Sequence, residues 1–82
     1  MNFDILNQVG QRIKCEIVGL FSDEINNRDY IIYTDGRRNN KGKLEVYASR
    51  YTKKNNSLVL SDIEEDSEWD LIDEYLLSIK KR

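Results

Sequence analysis

The chain has 82 residues, a net charge of −2 and a pI of about 5.1, so it reads as a single domain, 1–82, with room for one modest core and a stability on the order of 5–10 kcal/mol. One Cys, no His and no Pro exclude an intrachain disulfide, Ser-His-Asp and Cys-His catalysis, histidine metal sites and Cys₄ or Cys₂His₂ zinc. No apolar run approaches the roughly 20 residues of a membrane span, and Met1-Asn2-Phe3-Asp4 lacks the basic start and apolar block of a signal peptide, so a reducing, cytoplasmic setting without membrane contact is expected.

Residues 3–9 place apolar side chains at Phe3, Ile5, Leu6 and Val9, which fits a short helical turn or an edge strand. Val9-Gly10-Gln11 reads as a turn. Ile13, Cys15, Ile17, Gly19 and Phe21 then alternate with Arg12, Lys14 and Glu16, the pattern of a half-buried strand with one apolar face. Cys15 sits on that face and reads as a small buried hydrophobe, since no His stands by to activate it. Residues 22–28 form a polar turn in which Asn26-Asn27 suits left-handed backbone.

Asp29-Tyr30-Ile31-Ile32-Tyr33-Thr34 is β-branched and aromatic and predicts the strongest strand. Asp35-Gly36 breaks it, and the polar loop Arg37-Arg38-Asn39-Asn40-Lys41-Gly42 follows. Residues 43–52 alternate again, with Leu44, Val46 and Ala48 opposed to Glu45, Tyr47, Ser49 and Tyr51. A turn at Lys53-Lys54-Asn55-Asn56 leads to a short strand at Leu58-Val59-Leu60.

Trp69, Ile72, Leu76 and Ile79 recur at helical spacing and predict an amphipathic helix over 66–80, with Leu71 off the stripe. Asp66 is the expected N-cap, with Ser67 and Asp70 as the alternative capping pair. Acids at the start and Lys80-Lys81-Arg82 at the end both suit the helix dipole. On this reading Trp69 is largely buried against the sheet.

Strand, strand, strand, strand, helix, joined by short connections, gives an α+β fold: a meander-like, four-stranded antiparallel sheet over 11–60. The C-terminal helix packs on one face, and the other can face water.

Three segments resemble a known family. Tyr30-Ile31-Ile32-Tyr33-Thr34-Asp35, Val46-Tyr47-Ala48-Ser49 and Ile63-Glu64-Glu65-Asp66-Ser67-Glu68-Trp69 are similar to the YrzB-like bacterial proteins, a family of unknown function. The resemblance runs from about Gly10 to Leu77, and its most specific part is the acidic run ending in Glu-Trp. Asp62 stands where family members often have Pro, and the Arg37-Arg38 loop is more basic than the family pattern. The resemblance implies a cytoplasmic bacterial protein with no established catalytic residues, and it supplies no function.

Charge is unevenly placed. Residues 28–54 carry eight bases against three acids, while residues 62–74 carry eight acids and no base. The acidic run lacks the Gly and the spaced ligands of a calcium loop, and it reads as a solvated helix start. No catalytic residue, metal ligand or cofactor is expected.

Two functions fit. The first is a non-catalytic interaction or regulatory module with an unidentified protein partner, contacted through Arg37, Arg38, Lys41 and Lys43 on the basic loop or Glu68 and Asp73 on the acidic helix. On that reading the two charged segments project apart. The second is a nucleic-acid-binding accessory protein using the basic hairpin 37–54, with Tyr33, Tyr47 and Tyr51 interleaved. The low pI weighs against it.

Overall fold

The computed structural model describes residues 3–80. Strands β1 (Asp4–Leu6), β2 (Glu16–Asp23), β3 (Arg28–Thr34), β4 (Tyr47–Lys54) and β5 (Ser57–Ser61) precede helix α1 (Asp66–Lys80). The sheet has five strands in the order β1-β5-β4-β3-β2. β2 to β5 form the expected antiparallel meander, but β1 pairs parallel with β5, so the expected four-stranded antiparallel sheet is corrected to a mixed five-stranded one. The reason lies in the ambiguous stretch at residues 3–9. No hairpin joins β1 to β5, so nothing dictates their relative direction. Pairing there buries Ile5 beside Leu58.

Both faces of the sheet carry a core. Beneath α1, Tyr30, Ile32 and Ile72 are buried, with Phe21, Ala48, Ile63, Tyr75 and Leu76 packed around them. The opposite face, expected to meet water, buries Ile5, Ile31, Leu58 and Leu60 under Phe3, Ile13, Cys15, Tyr33 and Tyr51. This is why β3 is apolar without alternation from Tyr30 to Tyr33. Ile31 serves one face while Tyr30 and Ile32 serve the other.

The first long apolar alternation divides between these faces. A bulge between Ile17 and Gly19 inserts one residue into β2, which flips side-chain parity. Ile13 and Cys15 therefore pack on the face away from the helix, whereas Phe21 packs beneath the helix. Gly19 follows the bulge, and a Cβ there would collide with the Tyr75 hydroxyl and ring. That ring stacks on Phe21 at 4.3 Å and Phe21 stacks on Tyr30 at 5.0 Å, so a side chain at residue 19 would displace a stacked ring.

Helix α1 has the expected bounds but is turned on its axis. Its inward stripe is Glu68, Leu71, Ile72, Tyr75 and Ile79, with Leu76 beside it, and Trp69 is 46% exposed. Leu71 thus lies on the stripe, and the expected burial of Trp69 is corrected. Sequence periodicity fixes the spacing of a stripe but not its centre. Here the contacts of Glu68 set the centre one residue back from Trp69.

The turns follow their local chemistry. Asn27 and Asn55 both adopt φ of 55° at hairpin ends, a conformation Asn tolerates better than most residues. Residues 35–46 fold on themselves as a short arm. Leu44 bridges Arg38, and Asn39 Oδ1 accepts from the backbone amides of Lys41 and Lys43. The arm takes up Leu44 and Val46, so β4 starts at Tyr47.

Candidate interaction site

Among the described residues, the densest polar constellation lies where α1 begins. Glu68 is 1% exposed. Its Oε1 accepts from the Tyr30 hydroxyl at 2.8 Å and from Arg50 Nε at 2.5 Å. Its Oε2 accepts from Arg50 Nη2 at 2.7 Å and from the backbone amides of Glu64 and Glu65, each at 3.0 Å. Arg28 Nη1 lies 3.5 Å from Oε1 and 2.7 Å from the Glu65 carboxylate.

The bond from the Glu65 amide to a Glu three residues on is one half of a capping box. It replaces the caps expected from Asp66 or Ser67, whose side chains make no such hydrogen bond among the described residues. The bidentate Arg50 fork, joined by the Tyr30 and backbone donors, holds the Glu68 carboxyl far below its ordinary value despite burial. Burial, reinforced by the bond to Glu68, pushes the Tyr30 hydroxyl up. A carboxylate so saturated has no lone pair free for substrate. Chemically it is a clamp that fastens the helix start to β3 and β4.

This clamp revises the charge map. Arg28 and Arg50 turn toward Glu64, Glu65 and Glu68, so that part of the basic and acidic segments meets within the molecule instead of projecting apart. Glu68 is thereby corrected from partner contact to internal anchor. Asp73 is exposed on α1, away from Glu68. Arg37, Arg38, Lys41 and Lys43 come together on the arm, all exposed. Arg37 reaches only its neighbour Asp35 at 3.4 Å, and Arg38 donates to the Gly42 carbonyl at 2.9 Å. At the base of the arm the Tyr33 and Tyr47 rings lie 5.6 Å apart.

Sequence reasoning overlooked Arg50 and Arg28, although a signal existed. Arg50 shares the parity of Ala48, and Glu68 stands one turn before Ile72. Each is a charge on an apolar face, and such charges need each other.

A second overlooked feature is the open edge. β2 ends the sheet with eight residues, and Ile17, Val18 and Leu20 are each about 40% exposed. The run Ile17-Val18-Gly19-Leu20-Phe21 has no charge. The other edge, β1, has three residues, and the chain doubles back on it where Ile13 donates to the Ile5 carbonyl at 2.7 Å and Arg12 bridges Leu6.

Cys15 is half-buried beside a 340 Å³ cavity, and burial, with Asp35 nearby, pushes its thiol up and away from the reactive thiolate. Among the described residues no cluster of three metal-ligating side chains forms, and no helix is long and apolar enough to cross a membrane.

Residues 9–79 match the family described as "Protein of unknown function (DUF1292)". The chain is 31% identical over 74 residues to a UPF0473 protein of Bacillus pumilus, covering 88% of this chain and 78% of that one. It is 30% identical over 77 residues to the UPF0473 protein YrzB of Bacillus subtilis, covering 92% and 83%. No solved structure matches it. The chain belongs to the DUF1292 family, as the three sequence segments led one to expect.

Proposed function

We propose that this DUF1292-family chain is a small cytoplasmic interaction module, without catalysis, that binds a protein partner along the open edge of its sheet. The observation that carries this reading is β2 itself. An exposed edge strand offers a row of free amides and carbonyls, and proteins ordinarily blunt such edges with Lys, Pro, short length or a covering segment. β2 retains eight residues and an uncharged centre, and what blunts it is the bulge at Val18 and the charges of Glu16 and Asp23 at its ends. An added strand would gain main-chain hydrogen bonds there, with Ile17 and Leu20 supplying apolar contact. Pull-down from native cytosol with wild type and Leu20→Lys tests it. The expected outcome is a partner retained by the wild type and lost with the variant, at unchanged melting temperature. Equal capture by both sinks the reading.

A second reading has its own observation. The Tyr33–Tyr47 pair stands at the foot of an arm bearing Arg37, Arg38, Lys41 and Lys43, an arrangement able to stack a base and hold phosphates. Salt-dependent retention on single-stranded RNA, abolished by Arg37→Glu with Arg38→Glu, would favour it.

A further inference from the structure

Where β2 turns into β3, the open edge of the sheet and helix α1 enclose a groove of 500 Å³. Phe21 and Tyr75, stacked at 4.3 Å, line it together with Leu71. Ile25, 94% exposed at the turn tip, lines it as well. The charges on this apolar lining are all of one sign. They are Asp23, Glu24 and Glu74, and no base joins them. None of the three enters a salt bridge among the described residues. The positions one helical turn from Glu74 hold Asp70, Leu71, Leu77 and Ser78, so its own helix sets no base beside it. The Asn26 side chain, donating at 2.8 Å, and the turn amides hold the Asp23 carboxyl below its ordinary value, and so charged. Arg28, which closes the turn, is engaged by Glu65 at 2.7 Å.

We infer that this groove receives a basic side chain, arginine above all, presented by a protein segment that adds to β2. This rests on the reading of β2 as an interaction edge and names the chemistry of its partner. An exposed apolar patch rimmed by charge marks a contact surface, and here charge complementarity selects the occupant. Three carboxylates around an apolar lining repel an acidic segment, and a neutral one covers them without meeting their charge. Arginine meets both parts of the groove. Its aliphatic stem covers apolar surface, and its planar guanidinium stacks on aromatic faces and bonds carboxylates through a fork of donors. The edge supplies the backbone that carries it. Phe21 packs on the helix side of the sheet, and a strand laid beside β2 directs every second side chain to that side. A side chain set opposite Phe21 therefore shares its face and enters the groove.

Backbone amide NMR of the full chain tests the proposal, in titration with a short peptide of alternating valine and threonine that bears one central arginine. The control peptide carries citrulline, a neutral isostere, in its place. Shifts are expected at residues 16–25 and 71–75, with an affinity that falls as salt is added. Binding should weaken about tenfold with the citrulline peptide, and by as much for Glu24→Lys with Glu74→Lys. Both residues are exposed, and an unchanged melting temperature confirms that the variant is folded. Shifts along 16–23 that are equal for the two peptides overturn the groove proposal and leave the edge reading standing. Shifts confined to 24–25 and 71–75, and matched by free arginine amide, mean that a small cation binds, which overturns the proposed segment. Groove shifts that grow with protein concentration alone, and vanish in Arg37→Glu with Arg38→Glu, put the arm of a second copy there and overturn it equally. No shift with either peptide also overturns it, and the edge reading is then decided by capture with wild type and Leu20→Lys.

Discussion

Burying a carboxylate is unfavourable unless its lone pairs are met, and Glu68 meets the condition with Tyr30, Arg50 and two backbone amides. Removing its charge leaves Arg50 without its fork partner, and the side-chain amide of Gln presents donors to a guanidinium that accepts nothing. Glu68→Gln should therefore destabilise the fold by on the order of 3 kcal/mol at neutral pH. The pH dependence has a definite sign. A carboxyl depressed in the folded state below its ordinary 4.5 contributes stability that is complete above that pH. The contribution is lost as acid passes downward from 4.5 toward the folded value. Urea midpoints should thus fall more steeply below pH 4.5 for the wild type than for Glu68→Gln, so that the two curves converge in acid. Parallel curves would show that Glu68 is not the group that titrates with folding.

At the scale of elements, helix α1 and strand β2 show what a pattern in the chain can and cannot specify. The helix bounds were legible because acids, apolar repeat and basic end all agree. The rotation was not, because Trp69 and Glu68 are neighbours and hydrophobicity alone favours burying the Trp. The choice was made by Arg50 and Tyr30, which sit on strands distant in sequence. Similarly, alternation through Ile13, Cys15, Ile17, Gly19 and Phe21 announced a strand. The bulge that splits it between two faces depends on Tyr75 packing over Gly19, a contact no local pattern records. β1 was ambiguous for a related reason, since three residues gain strand character only from their partner β5. Of the six candidate contact residues, the four arm bases lie exposed on one arm and Asp73 lies exposed on α1. Glu68 was misread because an acid in an acidic run looks solvated. The expected cost of substitution follows the observed rotation. Ile72→Ala should destabilise by about 2–5 kcal/mol, and Trp69→Ala by only about 1 kcal/mol. Acrylamide should quench Trp69 fluorescence readily in the folded protein. A shielded Trp69, with the two costs reversed, would mean that the helix sits as the sequence stripe alone suggested.

Across the whole molecule, a net charge of −2 conceals two kinds of base. Arg28 and Arg50 are engaged at the helix start, and Glu68 raises the proton affinity of Arg50 through their hydrogen bond. Arg37, Arg38, Lys41 and Lys43 stand on an exposed arm whose fold is held by Asn39, Thr34 and backbone bonds. The arm's charges have little to do with holding the sheet together. The clamp's charges fix the angle of α1, and with it the cover over Tyr30 and Ile32. Salt separates the two kinds, because exposed pairs are screened at a Debye length of about 3 Å in 1 M salt while a desolvated carboxylate is not reached. Arg37→Glu with Arg38→Glu should melt at the wild-type temperature at low and high salt alike. Arg50→Glu should melt well below it in both, since it sets a second carboxylate against buried Glu68 where screening cannot relieve the repulsion. If high salt restores Arg50→Glu, the clamp is open to solvent and the helix is held by its apolar stripe alone. If the arm variant melts early, its bases serve the fold, and the surface left to meet a partner is the edge of β2 and the exposed side of α1.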